Sequence, residues 1–298
     1  MIKALANKII DKLARRIAEE IGATLSSERF LAPLFQQLYT TLEGRVPLDS
    51  VWARIAEEIG ATLSSERFLA PLFQQLYTAL EGRVPLDPVW AMNKMAQAEA
   101  AAYITKNCEK ARIFYSGGNN GFIYWEYVVK QASARGLFLE FGVNDGHSIN
   151  YFASKRPEVT FDGFDSFEGL PEAWCGHWIP EGMWDHNGNL PQVRGNVRLH
   201  KGLFDKTLPG FVNKYTEQKI SWCHIDCDIY SSTKTIFQEI YQFIQPGTII
   251  MFDEYLGYTG WKNHEYKAFQ EFCAENSVKY HYIAFQECRA AVKIESIK

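Results

Sequence analysis

From residue 137 onward, short apolar runs alternate with stretches of helical spacing. LFLEFGV (137–143), VTFDGFDSF (159–167), NVRLHKG (196–202), ISWCHIDCDIY (220–230) and GTIIMFDEY (247–255) have the length and aromatic or β-branched content of buried strands. Helical patterns fall at 231–244 and 264–276, and the chain closes with VKYHYIAF and ECRAAVKI, two strands separated by little more than a turn. This alternation predicts an α/β fold, a mostly parallel sheet with helices on both faces, and a final hairpin adding an antiparallel edge. Just before it, ARIFYSGGNNGFIYWEYVVKQASARG reads as a Gly-rich loop followed by an amphipathic helix.

Upstream the pattern is purely helical and repetitive. Residues 16–53 recur as 54–91 with only Thr41/Ala79 and Ser50/Pro88 differing, a period of 38 residues. Ser26-Ser27-Glu28 reads as a helix start, Phe30, Leu31, Leu34, Phe35, Leu38 and Leu42 recur at helical spacing, and Gly44 and Pro47 end the helix. Each copy is therefore expected to form a short helical hairpin with an apolar face. Residues 1–98 are read as a helical region and 99–298 as the catalytic-type domain. The duplicated apolar face suggests homo-oligomerisation through these N-terminal helices.

Composition narrows the partners. Net charge is −4 with the two signs interspersed, and no basic recognition helix follows the IAEEIG segments, which excludes a nucleic-acid surface. No apolar run approaches the roughly 20 residues needed to span a bilayer. The six cysteines include no CxxC pair, against a structural zinc site. Cys223 and Cys227 lie in or beside an apolar strand, where a thiol serves as a small apolar filler. The opening residues read as a basic amphipathic helix rather than a secretory leader, and a cytoplasmic location is expected.

Candidate chemistry sits where strands meet helices. LFLEFGVNDGHS places Glu140 in a strand and Gly142, Gly146 and Ser148 in the turn to a helix. Glycines there allow a close ligand approach, but GVNDG lacks the GxGxxG spacing of a dinucleotide site, against a nicotinamide-dependent oxidoreductase. Asp165 follows about 20 residues after that loop, the spacing of an acid that binds ribose hydroxyls. Asp162 is its rival, earlier in the strand.

LEFGVxxGxS, GFDSFEGLPE, HIDCDIYSST and FDEY, in this order, resemble the macrocin O-methyltransferase family over roughly residues 120–298. The resemblance implies a Rossmann-like class I methyltransferase sheet of seven strands with a terminal reversed strand, S-adenosylmethionine as cofactor, and a hydroxyl of a sugar or other natural product as the small-molecule acceptor. Mapped through the motifs, Gly142, Gly146 and Ser148 surround the methionine part, Asp165 takes the ribose hydroxyls, and Gly202 and Phe204 lie near the adenine. Glu140 and Ser166 complete the cofactor set.

In an open parallel sheet the ends of the fourth and fifth strands face one crevice, so Asp226, Asp253 and Glu254 are expected to form an oxygen cluster suited to Mg²⁺. Such an ion would acidify and orient the acceptor hydroxyl. This chain has Asp253-Glu254 where the family has two aspartates, and Glu254 reaches one methylene further. Asp226, Asp228 and His224 are the candidate bases, all on one side of the strand by alternation. A metal-independent route through His224 or an aspartate, and a non-catalytic scaffold working through the helical repeats, are the competing readings.

The long segment 171–195 carries Trp174, Trp178 and Trp184, and aromatic faces pack well on sugar rings or flat acceptors. It is expected to form a substrate lid. Tyr255 and Tyr258 are expected on the opposite wall.

Overall fold

The computed structural model describes residues 88–115 and 120–298. The tandem repeat, apart from its last four residues, and the oligomerisation surface expected there lie outside the described residues.

Helix α1 (Pro88–Asn107) leads into strand β1 (Arg112–Phe114), helix α2 (Asn120–Lys130), β2 (Leu137–Phe141), α3 (His147–Lys155) and β3 (Phe161–Asp165). After the long segment come β4 (Val197–Lys201), α4 (Phe204–Lys214), β5 (Ile220–Ile225), α5 (Tyr230–Ile240) and β6 (Ile249–Phe252). Helix α6 (Glu265–Glu275) and the hairpin β7 (Lys279–Gln286) and β8 (Arg289–Ser296) complete the chain. The strands form one sheet in the order β1-β7-β8-β6-β5-β2-β3-β4.

The mostly parallel α/β expectation holds, with two differences. The sheet has eight strands rather than seven, because Arg112–Phe114, read from sequence within a loop, pairs in parallel with β7. Three residues are too few to show a period of two. The hairpin is also not the edge: β8 inserts antiparallel between β6 and β7, and β1 lies outside β7.

Alternation along the central strands divides the core into two layers. Leu139, Phe141, Cys223, Ile225, Ile250 and Phe252 face the layer covered by α4, α5 and α6. Phe138, Trp222, Ile249 and Met251 face the layer covered by α2 and α3. Fully burying such side chains stabilises the fold by about 1.5–3 kcal/mol each. Glu140 and His224 stand opposite one another in the β2–β5 register, both completely buried.

Helix α1 belongs to the same packed unit, running through residues 98 and 99. Its Ala96 and Ala100 enter the core, and Tyr103 Oη lies 2.6 Å from Tyr282 Oη. The sheet changes direction between β2 and β5, since β3 and β4 continue to one side and β6 to the other. The crevice beyond the carboxyl ends of those strands is where open α/β sheets bind ligands.

Candidate active site

Strand β2 ends at a backbone that has no room for a side chain. Gly142 has φ +90°, and a Cβ there would collide with the Asp226 carbonyl beyond the neighbouring strand. Asp226 N–H donates to Phe141 O (2.9 Å) and Gly142 N–H to Phe164 O (3.0 Å), which holds three strand ends together. Asp165, at the end of β3, binds the same turn. Its Oδ2 accepts from the N–H groups of Val143 (2.7 Å) and Asn144 (2.8 Å), and its Oδ1 from Phe167 N–H (2.7 Å). A carboxylate offers about four lone-pair sites, so one is left for a ligand hydroxyl.

A cavity of about 670 Å³ opens over these strand ends. Of the expected cofactor residues, Gly142, Asp165, Ser166, Gly202 and Phe204 line it. Glu140, Gly146 and Ser148 are not among the lining residues. Glu140 and Ser148 are buried, and the Ser148 hydroxyl donates to Glu140 Oε1.

Three carboxylates converge on the cavity. Asp226 follows β5 directly, Asp228 stands in a left-handed turn with φ +65°, and Glu254 lies two residues past β6. One ligand oxygen from each lies within 4.8 Å of the others. The turn, rather than strand alternation, brings Asp228 there, because β5 stops at Ile225. Burial and mutual repulsion push Asp226 and Glu254 well above the usual carboxylate range, and burial beside Asp253 and Asp165 raises Asp228 to about 7. Glu254 Oε2 is buried with no hydrogen-bond partner. A hard divalent cation would satisfy that atom and relieve the repulsion, so the donor set fits one.

Asp253, expected among the metal ligands, falls outside this group. Arg289 grips it with two hydrogen bonds, and His224 Nε2 lies 3.6 Å from its Oδ1. His224 is fully buried outside the cavity lining, its Nδ1 3.3 Å from Glu140 Oε1. Burial opposes its charged form, but Asp253 and Glu140 outweigh that and raise its pKa to about 10. An imidazolium held between two carboxylates has no free nitrogen lone pair with which to take an acceptor proton, which argues against its candidacy as the base.

The lid segment supplies the far wall. Trp174, Ile179 and Ile229 form a small core with Leu170, Met183 and Tyr258 packed against it. Trp174 and Tyr258 meet edge to face at 5.6 Å, and Tyr258 Oη donates to Glu254 O (3.0 Å), joining this wall to the acidic cluster. His264 Nε2 hydrogen-bonds the Cys175 carbonyl (2.9 Å), and His186 Nε2 meets Asn144 Oδ1 (2.5 Å), so the segment is tied down at both ends. Of the residues expected to contact the acceptor, Trp174, Trp184 and Tyr258 line the cavity. Trp178 is 77% exposed and outside the lining, and Tyr255 is buried among Tyr103, Tyr266 and Tyr282.

Two residues of the site escaped sequence reading. Arg289 starts β8, and a lone cation beside an apolar strand was its available signal. Glu265, completely buried at the start of α6, accepts from Glu254 N–H (3.2 Å) and braces that residue's backbone. Nothing in its local sequence marks it.

Comparison with known proteins agrees with this geometry. Residues 139–255 match the family model described as a methyltransferase domain. Over this segment the chain resembles a methyltransferase domain. A Streptomyces olivaceus enzyme, 8-demethyl-8-(2,3-dimethoxy-alpha-L-rhamnosyl)-tetracenomycin-C 4'-O-methyltransferase, is 32% identical over 108 residues. That match spans 30% of this chain and 40% of the relative's length. The calicheamicin methyltransferase CalS11 shares the fold with a TM-score of 0.50 at 19% identity, covering 79% of this chain and 96% of its own. The O-methyltransferase NovP has a TM-score of 0.44 at 16% identity, over 59% of this chain and 79% of its own. The family model and the Streptomyces olivaceus relative agree with the four sequence motifs in a resemblance to methyltransferases.

Proposed function

We propose that this chain transfers a methyl group from S-adenosylmethionine to a hydroxyl of a sugar or other natural-product acceptor, assisted by a divalent cation such as Mg²⁺. The observation that carries the reading is one cavity lined at once by Asp165, with a lone-pair site to spare, and by the converging carboxylates of Asp226, Asp228 and Glu254. When bound, the cofactor supplies an electrophilic methyl and the cation supplies positive charge beside the acceptor oxygen.

The chain's own residues do the rest. Asp165 and the backbone at Gly142 and Gly202 shape the cofactor end of the cavity. Asp226, Asp228 and Glu254 would hold the cation, and Asp226 and Asp228 are the cavity carboxylates placed to take the hydroxyl proton. Asp253 braces the site through Arg289 instead of ligating. Trp174 and Tyr258 exclude water and orient the acceptor, and positioning of this kind supplies much of the rate of a direct displacement. A metal-independent route through His224 draws no support from a ring buried between Glu140 and Asp253.

Among the described residues the six cysteines are free thiols, and no helix is long and apolar enough to cross a membrane. The test is a calorimetric titration of the full chain with S-adenosylhomocysteine, in Mg²⁺ and again in EDTA. Binding in both buffers is expected, with Mg²⁺ required only for methyl transfer. No binding in either sinks the reading.

A further inference from the structure

We infer that helix α1 is a positioning element of the site: Asn93 and Tyr103 set the placement of Glu254 and Tyr258, Asn93 through Thr259 and Tyr103 through the hydroxyls of Tyr282 and Tyr255. This rests on the reading of Asp226, Asp228 and Glu254 as a cation site, and it extends that site to a helix that supplies no cavity wall.

The loop after β6 has little scaffold of its own. Residues 253–264 contain no strand and a single 3₁₀ turn, Trp261–Asn263. Tyr258 and Thr259 stand between Gly257 (φ +85°) and Gly260 (φ +86°), both left-handed. Glycine leaves the backbone its widest freedom, so order here has to come from tertiary contacts. Two residues of this loop, Glu254 and Tyr258, line the cavity. They are joined, since Tyr258 Oη donates to Glu254 O (3.0 Å) while Glu254 N–H donates to Glu265 (3.2 Å). Where Glu254 points therefore depends on where Tyr258 stands.

Helix α1 supplies the missing constraint. Asn93 Oδ1 accepts from both the N–H (3.3 Å) and the hydroxyl (2.6 Å) of Thr259, the residue after Tyr258. Ala100 is buried against Gly257, where a Cβ would stand 3.7 Å from its own. Tyr103 Oη lies 2.6 Å from Tyr282 Oη, which lies 2.8 Å from the Oη of Tyr255, the residue after Glu254. Tyr255 is completely buried, and Gln270 Nε2 donates to the same hydroxyl (3.1 Å). Asn93, Ala96, Ala100 and Tyr103 follow one another at three- and four-residue steps, so one helical face makes these contacts. The Lys262–Glu99 pair (2.7 Å) is more than half exposed on both sides and contributes little.

A helix that only added buried area would stabilise the whole unit evenly. The polar contacts of α1 fall instead on one loop, on both sides of Glu254 and Tyr258 in the chain. None of Asn93, Ala100 and Tyr103 lines the cavity, so any effect on the site passes through that loop. The segment that matches the methyltransferase model, 139–255, includes Glu254 and leaves out both Tyr258 and α1.

The experiment compares the full chain with Asn93→Ala, Asn93→Asp and Tyr103→Phe, titrated calorimetrically with Mn²⁺ and with S-adenosylhomocysteine, alongside amide hydrogen exchange. Asn93→Ala should weaken Mn²⁺ about three- to tenfold, because two hydrogen bonds of ordinary strength hold the loop there. S-adenosylhomocysteine affinity should stay unchanged, since Asp165 and Gly142 lie at the other end of the cavity. Exchange should quicken over residues 255–262 and not over 139–143. Asn93→Asp keeps an oxygen that accepts from Thr259 and should restore both readings. Tyr103→Phe keeps the ring, removes the hydroxyl and should repeat the pattern of Asn93→Ala. Mn²⁺ affinity and loop exchange unchanged in both Asn93→Ala and Tyr103→Phe, or Mn²⁺ and S-adenosylhomocysteine affinities falling together, overturns the inference. Should the unaltered chain fail to bind S-adenosylhomocysteine, the methyltransferase reading sinks, and the exchange comparison still decides whether α1 holds the loop.

Discussion

Arg289 holds Asp253 in a two-point grip, Nε to Oδ1 at 2.6 Å and Nη2 to Oδ2 at 3.0 Å, across the β6–β8 seam. Despite its burial, the Asp253 carboxyl is kept below the usual carboxylate range by the neighbouring His224 and, after it, by this Arg289 grip. Held there, Asp253 is outside the cavity lining, and Glu254 alone of the pair reaches the cavity.

Arg289→Ala should destabilise the protein by about 3–5 kcal/mol, because it leaves a buried carboxylate with one partner fewer. Arg289→Lys should recover only part of this, since an ammonium cannot reproduce the guanidinium fork. Urea unfolding of the three proteins at neutral pH measures both effects.

His224 sets a dependence on alkaline pH. Its folded pKa of about 10 stands above the unfolded value of about 6.5, so its contribution to stability is fully present below about pH 6.5 and is lost as pH rises through about 10. Unfolding free energies at about pH 6, 8 and 10 should fall for the unaltered chain and fall less for His224→Gln. Parallel curves for the two would show that His224 is not the group responsible.

Glu254→Gln and Asp226→Asn should each weaken Mn²⁺ binding, read by calorimetry or paramagnetic relaxation, while S-adenosylhomocysteine still binds. The loss should match or exceed the roughly 10–100-fold typical of removing a residue that only supports a ligand. Asp253→Asn is expected to cost stability with a smaller effect on the ion, because its carboxylate faces Arg289.

Asp165→Ala should do two things at once. It removes the acceptor for Val143, Asn144 and Phe167 N–H groups, so the turn after β2 loosens and stability falls by about 1–3 kcal/mol. S-adenosylhomocysteine affinity should fall with it. An unchanged affinity would remove Asp165 from the cofactor site.

Much of the site was legible because it follows strand order. Gly142, Asp165, Asp226 and Glu254 each lie at or just past the end of an apolar run that reads plainly as a strand, and parallel strands deliver their ends to one crevice. The β1 strand was not legible. Nor was the insertion of β8 between β6 and β7, since periodicity names a strand without naming its neighbour.

By itself the sequence determined which segments become strands and which acids stand at their ends, because burial of alternating apolar side chains is a local property of each run. Tertiary structure alone decided what each acid does. Asp253 and Glu254 are adjacent in the chain, yet one meets Arg289 from β8 and the other meets Asp226 and Asp228 from the end of β5. His224 and Asp226 share a side by alternation, yet one lies beneath the cavity between Glu140 and Asp253 and the other lines it. A buried carboxylate or imidazole takes its charge state from the partner within a few ångströms, and those partners arrive from distant parts of the chain only when the sheet is assembled.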